Sequence, residues 1–159
     1  MLGGNLPGTR EAMTQALREF AAEGVWDIRT SRIMSSPAVD CVPGTPDFLD
    51  MAFTGVWEKS AAELLLLCLE IEKAAGRPEN HSSRESRILD CDIIFFGDLA
   101  IVTPGLVIPH PRARGRSFVL EPLAEIAPDW RFPDGVTVKE ALSMLLEKEQ
   151  PVNLTEEIL

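Results

Sequence analysis

The sequence alternates between segments with apolar residues at helical spacing and shorter apolar segments that suit strands. Thr9 is the expected N-cap of a helix over Thr9–Gly24. The pattern Ser60-Ala61-Ala62-Glu63 is a capping box that opens a helix to about Ala75. Further helices are predicted over Arg116–Ile126 and Val138–Lys148, and strands over Val25–Met34, Phe48–Glu58, Ile88–Phe96, Leu99–Val102 and Leu106–Ile108. Helices interspersed with strands that can pair antiparallel predict an α+β fold.

The composition suits a single domain with a substantial core. The chain has 159 residues and is 45% hydrophobic, and we expect one domain over 1–150 with a frayed tail over 151–159. The net charge of -10 argues against nucleic acid as a partner. No apolar run reaches membrane length and no signal-type segment is present, which predicts a cytoplasmic protein without membrane association. Three widely spaced cysteines fit a reduced protein better than a disulfide framework or zinc site.

Two carboxylates, Asp90 and Asp92, stand one residue apart and lead into the apolar run Ile93–Phe96. On a strand, residues i and i+2 point to the same face, so both would leave one side of a sheet together. Close carboxylates repel each other unless a cation separates them, and Mg²⁺ completes its shell with water and substrate phosphates. We interpret the stretch as a metal–phosphate site. A solvated acidic edge beside a strand is the alternative.

An anionic substrate needs a local basic patch in so acidic a chain. Six arginines could supply it: Arg77, Arg84, Arg87, Arg112, Arg114 and Arg116. His110 stands between Pro109 and Pro111, whose rings restrict the backbone and can hold the imidazole at a fixed place. A loop histidine with a backbone partner is the alternative for His110.

Several short motifs occur in an order and spacing that together are highly specific. They are Gly3-Gly4-Asn5-Leu6, Pro46-Asp47-Phe48-Leu49-Asp50, Glu72 with Gly76-Arg77, Arg87-Ile88-Leu89-Asp90-Cys91-Asp92-Ile93, Ile108-Pro109-His110-Pro111 and Arg116-Ser117-Phe118-Val119-Leu120-Glu121-Pro122-Leu123. In these motifs the chain resembles the 6-hydroxymethyl-7,8-dihydropterin pyrophosphokinases over nearly its whole length. The resemblance implies a ferredoxin-like α+β sandwich, in which a mostly antiparallel central sheet is flanked by helices. It also implies that pyrophosphate passes from ATP to the pterin in folate biosynthesis, releasing AMP.

The same resemblance implies roles for individual residues. The metal ligands would be Asp90 and Asp92, which would hold two Mg²⁺ ions. The implied catalytic residues are Arg87, Asp90, Asp92 and Arg116. The implied ATP-binding residues are Glu72, Arg77, Arg84, Arg87, Ile93, His110 and Arg116. The pterin would stack between Phe48 and Phe118 and hydrogen-bond to Asp50. Without the resemblance both phenylalanines would be assigned to the core, and for Glu72 a solvated helix face is the alternative.

The chain departs from the family pattern at several places. Arg84-Glu85-Ser86-Arg87 stands where the family usually has Trp-Gly-Pro-Arg, so the aromatic lid over the nucleotide is absent. Asp50 stands where Asn is usual. Only Met1-Leu2 precede Gly3, whereas the family has a longer apolar strand, which suggests a missing central strand and either a gene start placed too late or a truncated chain. These departures motivate a second hypothesis, a degenerate non-catalytic binder of ATP or pterin. A third hypothesis is a ferredoxin-like interaction module without a small-molecule site. For the oligomeric state we expect a monomer or weak dimer.

Overall fold

The computed structural model describes residues 1–38, 40–77 and 85–149. Its elements follow the alternation that the sequence predicts. The helices are α1 (Thr9–Ala22), α2 (Ala61–Ala74), α3 (Ser117–Ile126) and α4 (Val138–Glu149). The strands are β1 (Leu2–Gly4), β2 (Trp26–Thr30), β3 (Met34–Ser36), β4 (Phe48–Met51), β5 (Phe53–Val56), β6 (Asp90–Cys91), β7 (Ile101–Thr103) and β8 (Leu106–Ile108).

A four-stranded antiparallel sheet forms the centre of the fold, in the order β3-β4-β1-β6. The other strands form two separate pairs, β2 with β5 and β7 with β8. Helices and antiparallel strands in this arrangement confirm the predicted α+β fold. The shortness of the sequence before Gly3 suggested a missing central strand, and that expectation is wrong. Three residues form β1, and this strand pairs with β4 on one side and β6 on the other.

The sheet divides the interior into two apolar clusters. Leu2 and Cys91 face one cluster, where α1 and α2 contribute Met13, Phe20, Leu67 and Ile71. The second cluster is built mainly from α3 and α4, and it includes Leu120, Leu123, Val138 and Ala141. Side chains alternate across a strand, so the neighbours of Leu2 and Cys91, which are Gly3 and Asp90, face away from α1 and α2. That second face of the sheet is where the polar residues gather.

Two long predicted strands are each interrupted, so their predicted bounds are wrong. The segment Val25–Met34 forms β2 and β3, and the segment Phe48–Glu58 forms β4 and β5. The breaks coincide at Ser31 and Ala52. The Ser31 amide donates to the Ala52 carbonyl at 2.9 Å, and the Ala52 amide donates to Ser31 Oγ at 2.9 Å. Because a side chain supplies one of these bonds, the ladder stops there and both segments pass from one sheet to the other.

The predicted strand Ile88–Phe96 is regular only over Asp90–Cys91. Its partner β1 is three residues long, which limits how far the ladder extends. Beyond the strand, the Asp92 amide donates to the Met1 carbonyl at 3.0 Å, and the Met1 ammonium donates to the Asp92 carbonyl at 2.8 Å. Pairing therefore continues by one residue. An apolar cavity of about 430 Å³ follows, between β5 and the segment 93–97.

The helix boundaries are close to those predicted. Both bonds of the Ser60–Glu63 capping box are present at the start of α2, as predicted. The N-cap prediction for α1 is wrong, because Gly8 is the N-cap and the Thr9 hydroxyl donates to the Ile88 carbonyl at 2.9 Å. No helix in the described part of the chain is long and apolar enough to span a bilayer.

Candidate active site

A cavity of about 120 Å³ lies on the polar face of the central sheet. Eight residues with a predicted site role line it: Phe48, Asp50, Arg87, Asp90, Asp92, His110, Arg116 and Phe118. They come from β4, from β6 and its flanks, from the turn after β8 and from the start of α3. The larger apolar cavity shares only Asp92 with this charged set, so the smaller cavity is where chemistry can occur.

The register of the sheet fixes how two of the carboxylates face each other. Gly3 of β1 lies opposite Asp50 of β4 and opposite Asp90 of β6. Directly opposed residues share a face, so both carboxyl groups leave the same side of the sheet, with a glycine between them. A Cβ atom at Gly3 would lie 3.1 Å from Asp50 Oδ1. Glycine therefore keeps the cleft between the two carboxylates open.

Asp90 is held by two arginines. Arg77 Nη1 lies 2.5 Å from Asp90 Oδ1, and Arg87 Nη2 lies 3.3 Å from Asp90 Oδ2. Burial works to raise the pKa of Asp90, but the charges of Arg87 and Arg77 outweigh it and hold that pKa below its usual value. Asp90 is therefore an ionised carboxylate with one oxygen turned to each arginine.

Asp92 has a different environment. Burial and the nearby charge of Asp90 raise its pKa, against the opposing effects of the Met1 ammonium, His110 and Arg116. A divalent cation between Asp90 and Asp92 would remove the repulsion between them, so the pair fits Mg²⁺. Within the described ranges no three acidic, histidine or cysteine side chains converge as a metal site. A cation held by these two residues would therefore need phosphate oxygens and water as its other ligands.

The aromatic residues lie beside cationic groups. The Arg87 guanidinium lies over the Phe48 ring at 5.0 Å, and the Arg116 guanidinium lies 5.4 Å from the Phe118 ring centroid. Both distances are within the range of a cation–π interaction. Each ring is only partly buried and lines the cavity, so neither is a simple core residue.

Asp50 lies deep in the same cavity and is 6% exposed. The Ser36 hydroxyl donates a hydrogen bond to Asp50 Oδ2 at 2.5 Å. Burial raises the pKa of Asp50 to about 6, and the charge of Asp90 adds to the rise, although Ser36 and Arg87 act in the opposite direction. Ser36 is the last residue of β3 and also lines the cavity, but no sequence motif singled it out.

His110 is fixed by its main chain. It follows a cis peptide bond between Ile108 and Pro109, and its amide donates to the Ile94 carbonyl at 2.9 Å. Its Nδ1 accepts from the Arg112 amide at 3.2 Å, so the neutral ring carries its proton on Nε2. Burial lowers the pKa of His110, although the charge of Asp92 opposes this. The ring is therefore a neutral donor beside Asp92.

Asn5 is a site residue that the sequence did not single out. Its Oδ1 accepts from the Arg87 amide at 2.9 Å, while its own amide donates to the Arg87 carbonyl at 2.9 Å. Its Nδ2 donates to the carbonyl of Pro46 and the hydroxyl of Ser86, both at 3.2 Å. The turn after β1 thus clamps the backbone of Arg87. The signal for this role was present in the Gly3-Gly4-Asn5-Leu6 motif, but the sequence did not show what Asn5 contacts.

Four predicted ATP-binding residues lie outside the cavity or outside the described residues. Glu72 is buried and the Arg77 side chain is 9% exposed, and both lie against Asp90 outside the cavity, so the solvated-face alternative for Glu72 is wrong. Burial raises the pKa of Glu72 to about 7, against the lowering effects of the Cys91 amide and Arg77. Ile93 packs against the cluster under α1 and α2. Arg84 and the tail 151–159 fall outside the described residues.

Comparison with known proteins identifies the family. The family model for 7,8-dihydro-6-hydroxymethylpterin-pyrophosphokinase (HPPK) matches residues 1–128, a range that includes every residue lining the site cavity. The chain belongs to the HPPK family. The HPPK match ends just after α3, so it covers the whole central sheet and leaves out α4.

Individual HPPK relatives cover most of the chain. A 2-amino-4-hydroxy-6-hydroxymethyldihydropteridine pyrophosphokinase of Synechocystis is 37% identical over 146 residues, which are 91% of this chain and 73% of that protein. A Pseudomonas aeruginosa protein of the same name is 34% identical over 148 residues, covering 89% of this chain and 87% of its own length. A folate synthesis bifunctional protein of Arabidopsis thaliana is 37% identical over 125 residues. The chain covers 79% of its own length in that match but only 26% of the plant protein.

Proposed function

We propose that this chain transfers pyrophosphate from ATP to 6-hydroxymethyl-7,8-dihydropterin, releasing AMP, as a 2-amino-4-hydroxy-6-hydroxymethyldihydropteridine pyrophosphokinase of folate biosynthesis. Membership of the HPPK family supports this function. The main observation in support of this function is the set of side chains that lines one cavity. An aromatic pair and an acidic pair line the same space, together with two arginines and a histidine. A flat heterocycle would stack on the aromatic pair, and a metal-bound triphosphate would bind to the acidic pair, the arginines and the histidine.

The pterin would occupy the aromatic part of the cavity. Phe48 and Phe118 would stack on the two faces of the ring, since flat aromatic rings gain from such contact. Asp50 would accept hydrogen bonds from the pterin's amino and ring N–H groups. The asparagine usual in the family can also donate, whereas an ionised Asp50 cannot. With a pKa of about 6, Asp50 is mostly ionised at neutral pH and serves as an acceptor.

ATP would occupy the charged part. Asp90 and Asp92 would hold Mg²⁺, and the resemblance to the family implies two ions. Mg²⁺ bound there would neutralise phosphate charge and orient the reacting oxygens. Arg87 and Arg116 carry permanent charges with forked donors that suit phosphate oxygens. His110 would donate from Nε2 to a phosphate oxygen. Catalysis by this set consists of positioning and charge neutralisation.

The reaction follows from this placement. The oxygen of the hydroxymethyl group forms a bond to the β-phosphorus of ATP and loses its proton. The bond between that phosphorus and the oxygen bridging to the α-phosphate breaks, and AMP leaves with the bridging oxygen. Asn5 holds the backbone of Arg87 three residues before β6, so it would anchor the arginine beside the phosphates.

An AMP-release assay tests the proposal. The full chain is incubated with ATP, Mg²⁺ and 6-hydroxymethyl-7,8-dihydropterin, and AMP should form only when all three are present. If ATP binds measurably but no AMP appears, the chain is a non-catalytic binder of its ligands. If an ATP analogue with Mg²⁺ produces no thermal shift at all, the chain is an interaction module and the proposal is wrong.

We also propose a cytoplasmic location and a monomer or weak dimer. The absence of a membrane-length helix in the described ranges supports the first of these. The net charge of -10 supports the expectation that nucleic acid is not a partner. We keep residues 1–150 as one proposed domain. Sedimentation at several protein concentrations measures the oligomeric state. A dimer that persists at every concentration would contradict the proposed monomer or weak dimer.

A further inference from the structure

Two charged residues of the α2 region are buried against the strand that carries the aspartates. Glu72 lies in the last turns of α2 and Arg77 lies just after the helix. Their side chains are only 7% and 9% exposed, and neither residue lines the site cavity. Charged groups are costly to bury unless they are paired and hydrogen-bonded. The sequence places both where surface charges are common, so their burial needs a reason.

The contacts of Glu72 and Arg77 converge on β6. Glu72 Oε1 accepts a hydrogen bond from the Cys91 amide at 2.7 Å. The same oxygen lies 3.1 Å from Arg77 Nη1, and that nitrogen lies 2.5 Å from Asp90 Oδ1. One carboxylate oxygen therefore fixes the backbone beside Asp90 and also orients the guanidinium that holds the Asp90 side chain.

This arrangement determines which oxygen Asp90 presents to the cavity. Arg77 does not line the cavity, and it pairs with Asp90 Oδ1. The other oxygen, Oδ2, is turned towards Arg87, which lines the cavity. We propose that Glu72 and Arg77 are positioning residues that hold Asp90 for a divalent cation, and that they do not contact ATP. This inference rests on the proposed function, because it assigns both residues to the metal half of that site.

The inference and a direct role in ATP binding predict different binding behaviour. Partners behind a metal ligand typically change metal affinity by about 10- to 100-fold when they are lost. A phosphate-contacting arginine would instead lower nucleotide affinity even when the metal is saturating. Binding can be measured without turnover, using Mn²⁺ as the cation probe and α,β-methylene ATP. The methylene group between the α- and β-phosphorus of this analogue cannot be cleaved, so no pyrophosphate is transferred.

The test compares wild type with Arg77→Met, and with Arg10→Met as the control on the exposed face of α1. Electron paramagnetic resonance measures free Mn²⁺ in the presence of the analogue, and calorimetry measures analogue affinity at saturating Mn²⁺. We expect Arg77→Met to weaken Mn²⁺ binding at least tenfold while analogue affinity at saturating Mn²⁺ stays within about twofold. Unchanged Mn²⁺ binding, or a loss of analogue affinity at saturating Mn²⁺, would overturn the inference.

Two further variants keep the test decisive if Arg77→Met does not fold. Glu72→Gln retains an oxygen for the Cys91 amide and loses the charge that orients Arg77, so it should weaken Mn²⁺ binding while hydrogen exchange at Cys91 stays slow. Arg77→Lys should restore part of the Mn²⁺ affinity, because it returns one donor to Asp90. Wild-type levels of Mn²⁺ affinity in both variants would contradict the positioning role. Failure of the proposed function is seen separately, as absence of AMP release by the wild-type chain.

Discussion

Asp50 and Asp90 lie directly opposite Gly3, one on each side of the same strand. Neighbouring strands are spaced by about 4.8 Å, so the two backbones are roughly 10 Å apart. Asp50 belongs to the aromatic part of the cavity and Asp90 to the charged part. The backbone ladder of the sheet, rather than flexible loops, therefore sets the distance between the proposed pterin and metal sites.

Gly3→Ala should disturb this spacing. The added Cβ would lie 3.1 Å from Asp50 Oδ1, which forces the carboxylate to move by a few tenths of an ångström. Because misplacement of about 1 Å can cost about a hundredfold in rate, we expect kcat/KM for the pterin to fall by about tenfold. Steady-state kinetics measures it. Gly115→Ala is the matched control, since a Cβ there meets nothing within 4 Å, and equal kinetics in both variants would argue against the tight cleft.

Asp50→Asn should stabilise the protein at neutral pH. The pKa of Asp50 in the fold is about 6 against an ordinary value of 3.8. The folded state therefore binds the proton more tightly, and stability falls as pH rises through about 4 to 6. At about 1.4 kcal/mol per pKa unit, the ionised carboxylate costs about 3 kcal/mol above that range.

Urea unfolding at pH 7.5 and pH 4 measures this effect. The free energy of unfolding of Asp50→Asn should exceed that of wild type by up to about 3 kcal/mol at pH 7.5, and the difference should shrink towards zero near pH 4. Asp47→Asn, which removes an exposed carboxylate just before β4, is the control. A stability difference that is the same at both pH values would show that Asp50 is not the group responsible.

Local sequence patterns predicted some parts of this structure well. The Ser60–Glu63 capping box and the glycine-terminated segments gave helix boundaries, because those signals act within a few residues. The one-residue spacing of Asp90 and Asp92 placed both side chains at one cavity, because strand alternation is also local. These predictions needed no knowledge of which strands pair.

Other features depend on long-range pairing and could not be found in this way. The strand breaks at Ser31 and Ala52 arise because those two residues hydrogen-bond each other across the sheet. Glu72 and Arg77 looked like surface charges at the end of a helix, where such residues usually lie. Their burial follows from the Cys91 amide and Asp90, which are distant in sequence from α2.

Asn5→Ala should impair both stability and ATP use. The variant leaves the Arg87 amide without its side-chain acceptor, and loss of such a buried partner costs about 1–3 kcal/mol. Only the main-chain bond from residue 5 to the Arg87 carbonyl then remains, so the Arg87 backbone is held less firmly and we also expect a higher KM for ATP. Thermal unfolding and AMP-release kinetics measure the two effects. Gln15→Ala on the exposed face of α1 is the control, and wild-type KM in Asn5→Ala would refute the anchoring role.

A designed extension of β1 should stabilise the sheet. Met1 and Asp92 already exchange two backbone hydrogen bonds, and the apolar cavity continues beyond them between β5 and the segment 93–97. Five added residues rich in valine would pair there and bury about two side chains, worth several kcal/mol and several degrees in Tm. A Gly-Ser extension of equal length is the control. Equal Tm values for the two extensions would mean that no strand forms in the cavity.

AMP release by Asp92→Asn tests whether the carboxylate pair of this cavity holds the cation needed for pyrophosphate transfer. The substitution removes a carboxylate from the proposed cation site and leaves a side chain of similar shape, so the Tm should stay within a few degrees of wild type. Loss of several kcal/mol of charge stabilisation predicts a fall in AMP release of roughly a thousandfold with ATP, Mg²⁺ and 6-hydroxymethyl-7,8-dihydropterin. Asp98→Asn, an exposed carboxylate nearby in sequence, should turn over like wild type. Turnover by Asp92→Asn at the wild-type rate would contradict metal-dependent pyrophosphate transfer at this cavity.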